Sequence, residues 1–478
     1  MSTDHLRRRL VELAEEYSVP GAQLAIHHGG GTWAFEIGEE EHGTSRRMTA
    51  ASKVPIGSVS KACTAALAMM LATDGDAELD APIVAYLPEL SAPTGGAGGR
   101  RADAGWAAQV TLRHLLSHTS GLPCDPREDA DSVSLRRHAL DCCRGVQLLH
   151  RPGAGFSYSN IGYLLAGRVI EVVTGMTWWE AVDALLFTPL GIAPRFVAAP
   201  LGAPRAGLVA VCGHAVNRAR EQVRPVAQSL SVADAPAGAI AASALDLITI
   251  GRMLAAGRPS RSPGQSPSQS PSKAGPALPA GTGLVGDAEL RAMRTPVPAA
   301  EPFGMADGWG LGLALHRHGG AAWWGHDGTA DGTACHLRFE PESGCVVALT
   351  TNGSTGFAMW RRLVPELRAA GIPVGSYDDR PALRRKAGRP GDCTGRFVNG
   401  DTEYRVRAAD SRRLFLTVDG EAFGELTPFE GLHFSIRDAE SGDLQAGRFL
   451  TDPNTGRIGW IQVGGRLGRR SDRVRDVA

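Results

Sequence analysis

The 478-residue chain has no net charge, with fifty basic residues balancing fifty acidic ones. A global binder of nucleic acid or another polyanion carries a basic excess, so that class is disfavoured from the start. Long apolar runs are missing as well. None approaches the roughly 18 residues of a membrane span, and no membrane partner is expected. The first sixteen residues lack the apolar core and small-residue cleavage site of an export signal. They read instead as an amphipathic helix with Leu6, Leu10, Leu13 and Tyr17 on one side, and the expectation is a cytoplasmic protein. The eight cysteines, Cys63, Cys124, Cys142, Cys143, Cys212, Cys335, Cys345 and Cys393, include no CxxC pair. Buried free thiols are expected, with no disulfide framework and no metal. His114 and His118 stand four apart, but no glutamate completes an HExxH pattern, and helix packing and loop hydrogen bonds account for them better.

A 43% hydrophobic content is ample for a large core and two or three domains. After the first helix, 22–28 and 32–37 alternate like a hairpin around Gly29-Gly30-Gly31. A long helical pattern follows Ser58 and ends in Thr73-Asp74-Gly75-Asp76. Thr111 would cap a short helix stopping at Gly121, and residues 152–163 form a turn leading into a helix. Another helix is expected from Ala237 to about Ala256. Strand character resumes at Trp309–Leu315 and continues through 323–352, before a helix at 359–370. This order predicts an α+β fold: an antiparallel sheet flanked by helices, with an all-helical lobe. Residues 1–377 are assigned to that unit. The Ser/Pro-rich stretch 258–281 is read as a disordered insertion. A linker at 378–388 leads to 389–478, where Asn399-Gly400 and Asp419-Gly420 mark hairpins between short strands at 402–407, 414–418, 432–436, 446–450 and 458–463. A small β-barrel is expected there. Arg466, Arg469, Arg470, Arg473 and Arg475 give it a basic tail, read as mostly solvated.

One stretch organises the rest. Ser58 and Lys61 are three residues apart at the start of an apolar helix pattern, so they share a helix face. A serine hydroxyl needs a base to become a nucleophile, and a buried lysine with a lowered pKa is such a base. Ser-x-x-Lys alone arises often by chance. Here Tyr158-x-Asn160 and His326-x-Gly328 follow it in order.

This order of motifs resembles the class C β-lactamase and esterase branch of the penicillin-binding-protein superfamily. The segments "HLLSHTSGLP", "PGAGFSYSNIGYLLAGRVIE" and "LDAPIVAYLPEL" extend the resemblance over roughly residues 5–370. The trailing β domain resembles the lipocalin-like domain behind some members. The resemblance implies that Ser58 is acylated and that Lys61 takes its proton. Tyr158, lowered in pKa by Lys61, would relay it, and Asn160 would bond Lys61 and the substrate amide. His326 joins the catalytic set, and the backbone N–H groups of Ser58 and Thr329 would form the oxyanion hole. Asp327, Gly328 and Arg466 are expected on the substrate, with Gly328 leaving room for substrate backbone. Penicillin-recognising members carry Lys-Thr-Gly where this chain has His326-Asp327-Gly328, and a largely neutral histidine weakens recognition of an anionic lactam.

Without an export signal the acyl donor is expected inside the cell. The domain plan is closest to the penicillin-binding-protein-type thioesterases of nonribosomal peptide synthesis. That likeness implies a donor ending in a D-residue and borne as a phosphopantetheine thioester by a peptidyl carrier protein. It also implies release by head-to-tail macrocyclisation with no other cofactor. Two alternatives stand beside it: a cytoplasmic D-amino-acid amidase or carboxylesterase, and a non-catalytic acyl sensor.

Overall fold

The computed structural model describes residues 3–91, 105–125, 134–193, 195–198, 210–256, 283–378, 382–410, 413–438 and 444–471. The stretch 258–281 and Arg473 and Arg475 lie outside the described residues. The larger part is built on an antiparallel sheet of seven strands: β1 (Gly21–His28), β2 (Gly31–Gly38), β3 (Gly308–Trp309), β4 (Ala314–His318), β5 (Ala321–Ala330), β6 (Thr333–Glu340) and β7 (Cys345–Thr351). They lie in the order β2-β1-β7-β6-β5-β4-β3. The first hairpin turns at Gly29 and Gly30, both at positive φ, as a tight connection between twisted strands requires.

Strand alternation sends Leu24 and Ile26 to one face of the sheet and Ala25 to the other. Helices α1 (Thr3–Glu16) and, near residue 360, α5 (Gly356–Ala369) cover the first face through Leu6, Leu10, Leu13, Met359, Trp360 and Leu363. Each fully buried leucine contributes about 1.5–3 kcal/mol, enough to hold a 14-residue helix that would not persist alone. The second face packs on α2 (Ser60–Asp74), α3 (Asn160–Thr174) and α4 (Ala244–Ala255) in one continuous core. Helix α2 is apolar all round and buried from Ser60 to Met69, with Ala62, Ala65, Ala66 and Ala68 letting neighbours approach from every side. It stops at Gly75, whose φ of 81° is a left-handed cap.

Three expectations about elements shift. The helix expected from Ala237 begins at Ala244, where Ser243 and Asp246 close a capping box. Residues Ala241–Ala242 instead pair with Val54–Pro55, the stretch just before the serine. The helix capped by Thr111 ends at Leu116 rather than Gly121, because His118 takes a left-handed φ of 56°. The strand expected over 309–315 is broken at Gly312 (φ 79°), which sits so close to α2 that an added Cβ would lie 2.2 Å from the Ala65 Cβ.

The C-terminal part is a closed eight-stranded barrel: β8 (Gly395–Asn399), β9 (Thr402–Ala408), β10 (Leu414–Val418), β11 (Glu421–Pro428), β12 (His433–Asp438), β13 (Leu444–Thr451), β14 (Ile458–Val463) and β15 (Arg466–Arg470). Strands β8, β11 and β15 are additions to those expected from the sequence. Arg466, Arg469 and Arg470 of the "basic tail" belong to the strand that closes the barrel, pairing Arg470 with Phe397 and Arg469 with Val398. Among the described residues, closure leaves the barrel without a free strand edge. Phe397, Phe434, Phe449 and Ile461 form its buried core.

Candidate active site

Ser58 lies in a single 3-10 turn (Gly57–Val59) that runs directly into α2. That turn is pressed against β5. A Cβ added at Gly57 would fall 2.0 Å from the Thr329 carbonyl oxygen, and one at Gly328 would fall 2.1 Å from the Ile56 oxygen and 2.9 Å from Ser58 N. Two glycines thus let two backbones touch, which brings the turn bearing Ser58 against the part of β5 bearing Thr329. This corrects one expectation: the space left by Gly328 is taken by the serine turn, not by substrate.

Lys61, one residue into α2 and fully buried, donates to Ser58 Oγ at 3.0 Å and to the Ala237 carbonyl at 2.8 Å. Burial lowers its ammonium to about 7, while Cys124, Asp125 and Asp234 pull the other way and Arg466 adds to the lowering. A large fraction of Lys61 is therefore a neutral amine near pH 7. Tyr158 is bonded to Ser58, and Lys61 Nζ lies 5.0 Å from the centre of its ring. Burial pushes the phenol well above its ordinary value, against the lowering effect of the Ser58 bond. Tyr158 is thus protonated over the neutral range, and the expectation that Lys61 lowers its pKa is corrected: desolvation dominates.

The structure places the other candidates as follows. Asn160, the first residue of α3, donates its side-chain amide to Asp125 at 2.6 Å. Lys61 donates its second bond to the Ala237 carbonyl rather than to Asn160. His326 is buried on β5 facing Trp309 and Tyr158, with ring centres 5.3 and 6.2 Å away. Its Nδ1 lies 2.5 Å from the Asp327 carbonyl, which can only accept, so Nδ1 carries the proton. Burial and then Lys61 lower the imidazole to about 3, so it is neutral. Asp327, next on the strand, points to the opposite face. It accepts from His336 at 2.6 Å and from Arg338 at 2.8 Å, beneath a Trp360 ring stacked on His336. Burial alone would raise its carboxyl, but Arg338 and His336 hold it well below the usual range. Its side chain is therefore removed from the substrate-binding set. Cys63, two residues after Lys61, is fully buried in the core.

Several residues that hold the site together carried no motif. The His118 ring stacks on Tyr158 at 4.2 Å, and its Nδ1 accepts from Ser159 N at 3.0 Å. The barrel reaches in from the far side. Gly465, in the turn before β15, accepts from Tyr158 N at 3.0 Å. Asn399, at the end of β8, accepts from Cys124 N at 2.7 Å and donates to Ser157 Oγ at 3.4 Å and Leu467 O at 3.0 Å. Arg466 donates to Cys124 Sγ at 2.8 Å and lies 3.9 Å from Asp125. Read from sequence, Asn399-Gly400 signals only a hairpin. The turn is there, and the same asparagine side chain also clamps the tyrosine loop.

The chain matches the family model described as Beta-lactamase over residues 6–370. It is 33% identical over 379 residues to penicillin-binding protein 4 of Amycolatopsis lactamdurans, covering 77% of this chain and 91% of the relative. It is 31% identical over 194 residues to the esterase EstB of Burkholderia gladioli, covering 38% of this chain and 47% of that one. Its fold follows the crystal structure of SurE with a TM-score of 0.80 at 34% identity over 98% of each chain, and SurE with D-Leu at 0.78.

Proposed function

Starting from a chain that belongs to the beta-lactamase and penicillin-binding-protein-like family of serine hydrolases, we propose that it is a peptide cyclase. It takes a peptidyl group from a carrier-protein thioester onto Ser58 and releases it as a head-to-tail ring. The observation that carries this reading is the barrel. The likeness to SurE spans 98% of both chains, and the SurE relative is also known with D-Leu, as suits a donor ending in a D-residue. The barrel touches the loop bearing Tyr158 through Gly465 and Asn399 and sets Arg466 beside Cys124 and Asp125.

In this reading neutral Lys61 takes the Ser58 proton as Oγ attacks the thioester carbonyl. The amides of Ser58 and Thr329 hold the resulting oxyanion, and losing one such donor costs about 3–4 kcal/mol. The protonated Tyr158 passes its proton to the departing thiol and recovers the one that Lys61 took from Ser58, leaving both groups as they began. The peptide's own amine then attacks the ester, favoured by its tether and by a wall that limits water. Arg466 would hold the nucleophilic end of the chain. Neutral His326 and the amide of Asn160 line the acyl side. A linear peptidyl thioester ending in a D-residue tests the reading: the cyclic product is expected. Rapid turnover of simple esters or D-aminoacyl amides with no ring product would replace it by an esterase or amidase. Stoichiometric Ser58 acylation without turnover would mark an acyl sensor.

A further inference from the structure

A cleft of about 240 Å³ runs between the lobe containing residues 142–149 and the first barrel hairpin. Val146 and Leu148 line one side and Val398 the other, and Arg144 and Arg469 are the two basic residues on its lining. Asp125 ties it to the catalytic centre. The residue lines the cleft, and its carboxylate accepts from Asn160, lies 3.9 Å from Arg466 and pulls on the pKa of Lys61. The volume is below the roughly 300–1,000 Å³ of a pocket for a compact ligand. It suits a thin extended chain and is too small for a folded peptide.

Resting on the acyl-transfer reading above, we propose that this cleft receives the phosphopantetheine arm of the acyl donor, its thioester end at Ser58 and its phosphate at Arg144 and Arg469. The arm has an apolar dimethyl carbon, two amides and a terminal phosphate. Val146, Leu148 and Val398 match the first, and Gln147, also on the cleft, matches the amides. Two guanidinium groups match a phosphate, which they bind through paired hydrogen bonds. Arg469 is presented by a rigid element, its backbone laddered to Val398 and Trp460. Arg144 follows the helix Leu135–Cys143 and sits 3.3 Å from Asp141 at the surface, a contact of the kind a phosphate readily displaces. Asp401 also lines the cleft and already has a partner of its own. A carrier-bound arm and coenzyme A share this chemistry.

The test measures Ser58 acylation by intact-protein mass, so that ring closure does not enter the readout. Three donors carry one peptide: a carrier-borne thioester, a coenzyme A thioester and a short N-acetylcysteamine thioester without phosphate. In the double variant Arg144→Glu/Arg469→Glu, the acylation rate of the first two relative to the third is expected to fall at least about tenfold. An unchanged ratio overturns the proposal. A fall confined to the carrier-borne donor also overturns it, because the arginines would then contact the carrier surface. If no thioester acylates Ser58, the acyl-transfer reading fails by itself, and fluorescein-labelled 4′-phosphopantetheine reads the cleft directly. Saturable polarisation lost in the double variant upholds the cleft assignment; no saturable binding refutes it.

Discussion

Replacing Lys61 by methionine separates what the lysine costs from what it does. Burial lowers its pKa from 10.5 to about 7, which corresponds to about 5 kcal/mol of folding free energy lost in hiding an amine that water would keep charged. Methionine fills similar space without that penalty. It leaves the Ala237 carbonyl without its 2.8 Å donor, a cost of about 1–3 kcal/mol. The variant is therefore expected to be more stable than the parent by about 2–4 kcal/mol at pH 7. The unfolded chain keeps the lysine proton up to 10.5 and the folded chain only to about 7, so the parent gains stability as pH rises through that window. The advantage of Lys61→Met must accordingly shrink between pH 7 and pH 10. Urea unfolding of both proteins at several pH values, followed by tryptophan fluorescence, measures the difference and cancels other titrations. Acylation of Ser58 should meanwhile drop by about 10²–10⁴-fold. A Lys61→Met protein that is less stable at pH 7, with a deficit independent of pH, would refute the argument that Lys61 is held neutral by burial.

Acylation of the parent should rise with pH and level off above a midpoint near 7 as Lys61 loses its proton; Arg466→Ala removes a lowering influence and should move that midpoint upward, read from single-turnover rates across pH 5.5–9. Gly328→Ala puts a methyl 2.1 Å from the Ile56 oxygen and pushes the serine turn off β5, so acylation should fall by about 10²-fold or more while circular dichroism stays native. Asn399→Ala strips donors or acceptors from Cys124, Ser157 and Leu467, and each orphaned buried group costs about 1–3 kcal/mol. Earlier proteolytic release of the barrel and a lower kcat are expected together; loss of neither would deny the barrel its hold on the tyrosine loop.

The reach of the sequence follows from what each signal depends on. Ser58, Lys61 and Tyr158 converge because motif order and helix spacing are local properties, and the sheet is legible from alternation in 22–28, 32–37, 334–339 and 345–352. Asp327 was misplaced because a strand's period of two tells that neighbours face apart without telling which faces the cleft. The high pKa of Tyr158 depends on burial by His118 and Trp309, residues from distant segments. Strand β15 was hidden because four of its five residues are glycine or arginine, types that signal loop or solvent, and only pairing with β8 makes them a strand. Asn399 showed its turn chemistry but not its side-chain bonds, which join segments far apart in the chain.

Ser157 Oγ accepts from the backbone of Leu467, 310 positions further along. During synthesis the ribosome therefore releases the serine helix and the tyrosine loop long before the strand that braces them. A nascent chain that already holds Ser58 and Lys61 therefore lacks the Leu467 bond to the tyrosine loop until β15 has been translated.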